Sequence, residues 1–246
     1  TEPPDVVTLE EAQYGEKRLI AEAETSPRAE IWYHTAAWKH PDSYALEVLA
    51  GVMSGKTGRL FKKLVEEKEI AKSTGPGGMR MFGGSDLAVD ASQESMKYAG
   101  AFQVSAEGVS GVRAEQLEEA MLEVIDDLKA NPVTEEELQK VKNQLRVEKI
   151  RFMEIMSGIG ILFYLGQNAA LGDWTEANNN PVMCDRVTAE DLQRVANTYF
   201  VDNQRTVLII NSTAGDEGGG EEPVDPRFAQ ALLMIESADD PAQLEQ

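Results

Sequence analysis

The sequence predicts an α+β domain, one mainly antiparallel sheet covered by helices on one face in a two-layer sandwich. Strand-like segments near residues 18–35 and 87–106 and a buried run at 206–210 are short enough for strands, helical stripes fill the stretches between them, and the two types come in clusters instead of strict alternation. With 246 residues and 42% hydrophobic content the chain can bury a substantial core.

Residues 1–14, with Pro3-Pro4 and scattered acids, read as a linker into a domain spanning 15–212. Arg18 to Ala23 and Glu30 to Thr35 read as strands around a Thr25-Ser26-Pro27 turn, the second with Ile31, Tyr33 and Thr35 on one face and Trp32 and His34 on the other. A helix is expected from Pro41-Asp42, its stripe being Ala45, Val48, Leu49, Val52 and Met53. A second helix is expected from Gly58 to Glu69, burying Leu60, Phe61, Leu64 and Val65. Beyond Ala71 the chain turns strand-like and passes a stretch rich in glycine (Gly75, Gly77, Gly78, Gly83, Gly84). The patterns Leu87-x-Val89-x-Ala91 and Phe102-x-Val104-x-Ala106 then alternate as half-buried strands do. The remainder is mostly helical, with stripes at Leu117, Ala120, Met121, Val124 and Leu128, at Leu138, Val141, Leu145 and Phe152, and at Leu192, Val195, Ala196, Tyr199 and Phe200. Thr206 to Ile210 closes the domain as a buried strand. Residues 213–246, rich in glycine, proline and acids, are expected to be a flexible acidic tail in which 228–235 could form a short docking helix.

One nine-residue phrase occurs twice. Val133-Thr-Glu-Glu-Glu-Leu-Gln-Lys-Val141 returns as Val187-Thr-Ala-Glu-Asp-Leu-Gln-Arg-Val195. Each reads as a helix start in which the Thr accepts a bond from a first-turn N–H group and the acid three residues on, Glu137 or Asp191, reaches back.

Composition excludes some classes of partner. The formal charge of −20 opposes binding to nucleic acid or an anionic membrane, which needs clustered Lys and Arg. Asp216, Glu217, Glu221, Glu222, Asp225, Glu236, Asp239, Asp240 and Glu245, against Arg227, place −8 of that charge in the tail, so the globular part is only moderately acidic. No apolar run is long enough for a membrane span. The chain begins with Thr1, as an excised or processed chain would, so the compartment stays open. A single cysteine, Cys184, is expected to be a buried thiol.

Familiar chemical motifs fail on inspection. Ala50-Gly-Val-Met-Ser-Gly-Lys-Thr57 lacks the first glycine of a phosphate-binding loop and follows a helix where a strand is required, so it reads as a helix-to-helix connection ending at Gly55 or Gly58. The two histidines, His34 and His40, stand six apart with no third ligand at zinc spacing. Neither metal ligands nor a catalytic constellation can be read in this chain.

The order of four segments resembles the pitrilysin and insulinase family of zinc peptidases, which includes mitochondrial processing peptidase, and more narrowly the C-terminal domain of a bacterial member. The segments are His40 to Gly55, Gly58 to Ser73, Pro132 to Leu145 and Val187 to Ile210, within a resemblance covering about residues 15–212. It implies that two homologous domains form half of a clamshell and that zinc is bound by a His-x-x-Glu-His motif in the other domain, upstream or on a separate chain. This chain, lacking that motif, would bind no cofactor and would be inactive alone. It would complete a chamber for a peptide substrate, which could be held by strand addition to a sheet edge. A dimer is compatible with this. The family's second half commonly carries an Arg and a Tyr seven residues apart that contact substrate; counting along Leu64 to Ser73, the resemblance puts these places on Val65 and Lys72. Valine donates no hydrogen bond and lysine offers a flexible point charge in place of a phenol. The alternative is a catalytically inactive structural or interaction module that keeps the peptidase fold.

Overall fold

The computed structural model describes residues 13–75, 87–155 and 159–213. The linker but for its last two residues, the glycines at 77, 78, 83 and 84, and the tail beyond Thr213 with its possible helix at 228–235 lie outside the described residues, as does the Phe152 side chain.

Five strands form one sheet: β1 (Lys17–Ala23), β2 (Arg28–Thr35), β3 (Val89–Ser95), β4 (Gly100–Glu107) and β5 (Arg205–Ser212), in the order β1-β5-β2-β4-β3. All pairings are antiparallel except β1 with β5, so the mainly antiparallel sheet is confirmed. The expected turn at Thr25-Ser26-Pro27 does not make β1 and β2 partners. The final strand inserts between them because its inward residues Val207 and Ile209 are fully buried and require a strand on either side, whereas Lys17 to Glu22 of β1 are all exposed.

Helices α1 (Pro41–Met53), α3 (Ala114–Ala130) and α7 (Ala189–Tyr199) pack on one sheet face, α1 over β3, α3 over β2, β4 and β5, and α7 over β2. A single turn, α2 (Arg59–Phe61), runs into a π-helical stretch at Lys62–Glu67. In an outer layer, α4 (Glu135–Ile155) and α6 (Glu176–Arg186) pack on α1, and α5 (Ile159–Leu171) packs on α4 and α6. At the centre, Phe200 meets Tyr33 at 4.9 Å and Phe102 at 4.8 Å between ring centroids, with all three rings buried.

The two copies of the repeated phrase open α4 and α7 but are wired differently. Thr188 and Asp191 form the reciprocal capping box, with the Asp191 N–H donating to Thr188 Oγ1 at 3.2 Å and the Thr188 N–H donating to Asp191 Oδ2 at 3.1 Å. Thr134 accepts from the Glu137 N–H, but the Glu137 carboxylate takes the Arg59 guanidinium at 3.0 and 2.8 Å instead of reaching back. A charged bidentate partner outcompetes a single backbone N–H. Eight residues past Thr134, Lys142 donates to the carbonyls of Asp185 (2.9 Å) and Val187 (2.6 Å), tying α4 to the C-terminal end of α6.

Candidate functional site

The two substrate positions implied by the resemblance lie on either side of a sharp reversal. Val65 sits in the π-helical stretch, half-buried against the hydrophobic core. The chain then turns through Glu69, whose φ of 53° lies in the left-handed region that glycine tolerates best. After Glu69 it runs along the end of β4: Ala71 bridges to Gly108, and the Lys72 N–H donates to the Glu107 carbonyl at 3.0 Å.

The Lys72 ammonium is committed within this domain. Its Nζ donates to Glu107 Oε1 at 2.5 Å and to Ser26 Oγ at 2.6 Å. Beside it, by register, Arg28 of β2 stands opposite Glu107 and pairs with Glu30 at 2.8 Å. Glu30 also accepts from Trp32 Nε1 at 3.0 Å and Gln103 Nε2 at 3.2 Å. The result is a corner of two cations and two carboxylates on the sheet face away from α1, α3 and α7. Among the described residues its charges cancel, so it can offer hydrogen bonds to a peptide but no uncommitted cation for an oxyanion. Sequence reasoning misses Ser26, Arg28, Glu30 and Glu107; the available signal is the two-residue spacing of Arg28, Glu30 and Trp32, which puts all three on one face of a strand.

The two sheet edges differ in availability. At β3, Ser54 Oγ donates to the Ala91 carbonyl and accepts from the Ala91 N–H, at 2.7 and 2.8 Å, so the ladder is closed there by a side chain. At β1, Leu19 and Ile20 are exposed, and the strand is fastened inward by the β5 ladder and by a bidentate Arg18 to Glu118 pair at 2.7 and 2.6 Å. An exposed outer strand with apolar side chains is a template for a further strand.

The remaining motifs resolve into packing. Residues 50–57 end α1 and pass through Gly55 (φ 81°) into α2, a helix-to-helix connection. A cavity of about 470 Å³ opens beside it, lined among others by Thr57, Arg59, Lys62, Glu137 and Lys140, where Arg59 is already clamped by Glu137 and by Asp127 at 2.8 Å. His40 Nδ1 accepts from the Asp42 N–H and so caps α1. Asp42 in turn binds Arg194 at 2.7 Å and the Tyr199 hydroxyl at 2.8 Å; burial pushes its carboxyl up, but these two bonds outweigh it and hold the carboxyl below its ordinary range. Burial pushes the Cys184 thiol up, away from thiolate reactivity. Among the described residues no three His, Cys, Asp or Glu side chains form a group able to hold a metal, so these residues do not fit a zinc site.

Comparison with known proteins decides the family. Residues 1–145 match the family described as the peptidase M16 inactive domain. The chain belongs to the M16 zinc-peptidase family, as its inactive domain. It is 30% identical over 183 residues, 73% of the chain, to the zinc protease PqqE of Helicobacter pylori, of which it spans 37%. The fold matches that of a protease from Helicobacter pylori with a TM-score of 0.73 at 22% identity, over 86% of this chain and 47% of that one. It also matches the structure described as the inactive peptidase domain of a zinc protease candidate from Bordetella parapertussis, with a TM-score of 0.61 at 20% identity, over 76% and 93% of the two chains. The chain thus spans less than half the length of both Helicobacter relatives. In this inactive M16 domain the Val65 side chain packs on the core and the Lys72 ammonium is held by Glu107 and Ser26.

Proposed function

We propose that this domain completes the peptide-holding chamber of a zinc endopeptidase whose metal and catalytic glutamate reside in a second M16 domain, upstream or on a separate chain. The supporting observation is the match to the family's inactive domain by a chain that spans only 37% of a zinc protease. In this reading the zinc domain activates water and supplies the base. This domain contributes walls, hydrogen bonds from the Lys72 corner, and the β1 edge, along which an extended peptide adds as a strand. Mixing this chain with its zinc domain should produce peptide hydrolysis well above that of the zinc domain alone. A zinc domain that is fully active without this chain would end the proposal.

A second reading, a structural or interaction module that has lost its role in turnover, draws support from Lys72. Its ammonium is satisfied by Glu107 and Ser26 inside the domain, and Val65 offers substrate no polar group. Lys72→Ala in the active mixture separates the readings: a fall in kcat/KM of tenfold or more assigns Lys72 to substrate, whereas unchanged turnover removes it from the site.

A further inference from the structure

Helix α5 is built inside out. Its sequence, Ile159-Gly-Ile-Leu-Phe-Tyr-Leu-Gly-Gln-Asn-Ala-Ala-Leu171, contains no charged residue, which holds for no other described helix. A surface helix normally turns its apolar stripe to the core and its polar stripe to water. Here the buried positions are Gly160 and Asn168, and Tyr164 is half-buried between them. Leu162 is 71% exposed, Phe163 57%, Ile159 54% and Ile161 44%. The Asn168 amide turned inward is accounted for, since its Nδ2 donates to the Tyr164 carbonyl at 2.8 Å. Among the described residues none covers the outward apolar side chains. In the same outer layer, Val147 and Ile150 of α4 are also exposed. A cluster of this kind marks a surface that is covered in the working protein.

We propose that the outward face of α5, centred on Ile161, Leu162 and Phe163, is the docking surface for the zinc-binding sister domain of the same peptidase. The inference rests on the proposed function for the existence of that partner and adds where it sits. Chain length supports this occupant, because the chain spans 47% of the Helicobacter protease whose fold it matches, leaving room in that protein for a further domain of similar size. Charge disfavours a second copy of this chain, since each copy carries −20. A membrane surface fits poorly: the helix is roughly 20 Å long, short of a span, and lacks the basic residues that interfacial helices present to lipid headgroups.

The test begins with hydroxyl-radical footprinting of Leu162 and Phe163 in this chain alone, with the zinc domain added, and with vesicles of anionic phospholipid. Strong labelling in the chain alone and protection on adding the zinc domain are expected. Protection already present in the chain alone, through self-association or its own tail, or protection by vesicles but not by the zinc domain, would overturn the assignment. Both side chains are exposed, so Leu162→Glu with Phe163→Glu should leave the thermal transition and circular dichroism of this chain unchanged while weakening its binding to the zinc domain at least 100-fold. Unchanged binding by a folded double variant would overturn it equally. If the wild-type domains bind through α5 but the mixture never hydrolyses peptide, the docking surface stands and the proposed function fails. If the double variant restores hydrolysis as well as the wild type does, the function stands and the surface fails.

Discussion

Replacing Lys142 by Met should be among the most damaging single changes outside the apolar core. The Met side chain can follow most of the lysine stem, so little packing is lost. What disappears is a nearly buried ammonium bonded to the carbonyls of Asp185 and Val187 at 2.9 and 2.6 Å. Hydrogen bonds to a charged group contribute about 1.5–3 kcal/mol each, and a buried carbonyl left unpaired costs about 1–3 kcal/mol. Against this stands the relief of no longer desolvating the ammonium, several kcal/mol. The balance predicts a loss of about 3 kcal/mol, which for a chain of this size lowers Tm by about 6–12 °C. Arg146→Met is the matched control: it breaks a salt bridge to the side chain of the same Asp185, but one that is half-exposed, and should cost under about 1 kcal/mol. Urea unfolding of both variants measures the difference. Equal stability of the two, or a Lys142→Met variant more stable than wild type, would show that desolvation cancels the two bonds and that α4 does not hold α6 in this way.

Three further outcomes follow from local geometry. Glu69→Gly relieves a left-handed backbone at φ 53° and should stabilise by about 1 kcal/mol in the same urea assay; destabilisation would mean the Glu69 side chain has a role of its own. Gly58→Ala would place a Cβ 2.1 Å from the Ser54 carbonyl oxygen, a backbone atom with little freedom to move, and should destabilise by about 3 kcal/mol; a neutral result would show that this connection is soft. Asp42 has a carboxyl held below its ordinary range, so its contribution is complete above roughly pH 4 and is lost as the pH falls through the lowered value. Asp42→Asn should therefore flatten the decline in Tm below pH 4, and a decline as steep as in the wild type would assign the acid sensitivity elsewhere.

The sheet and its covering layer are legible in the sequence because strand alternation and helical stripes both report which side of an element is dry. Ile31 and Tyr33 of β2, Val104 of β4 and the stripe of α3 are buried as their spacing requires. Strand order is less accessible: the turn after β1 suggests that β1 pairs with β2, and only the burial of Val207 and Ile209 explains why β5 intervenes. The first copy of the repeated phrase departs from its expected cap, since capping logic is local while Glu137 answers to Arg59, 78 residues away. The same limit hides the Lys72 corner, whose partners Ser26 and Glu107 are distant in sequence and meet only through the sheet. The π-helical stretch and the inverted faces of α5 carry no periodic signal that a search for apolar stripes would detect.

The central claim is that this domain shapes a peptidase without holding its metal. The most direct measurement is the zinc content of the purified chain after incubation with excess zinc and dialysis, with peptide hydrolysis assayed on the same sample. The account predicts far less than one zinc per chain and no hydrolysis. One tightly held zinc per chain accompanied by hydrolysis would contradict it.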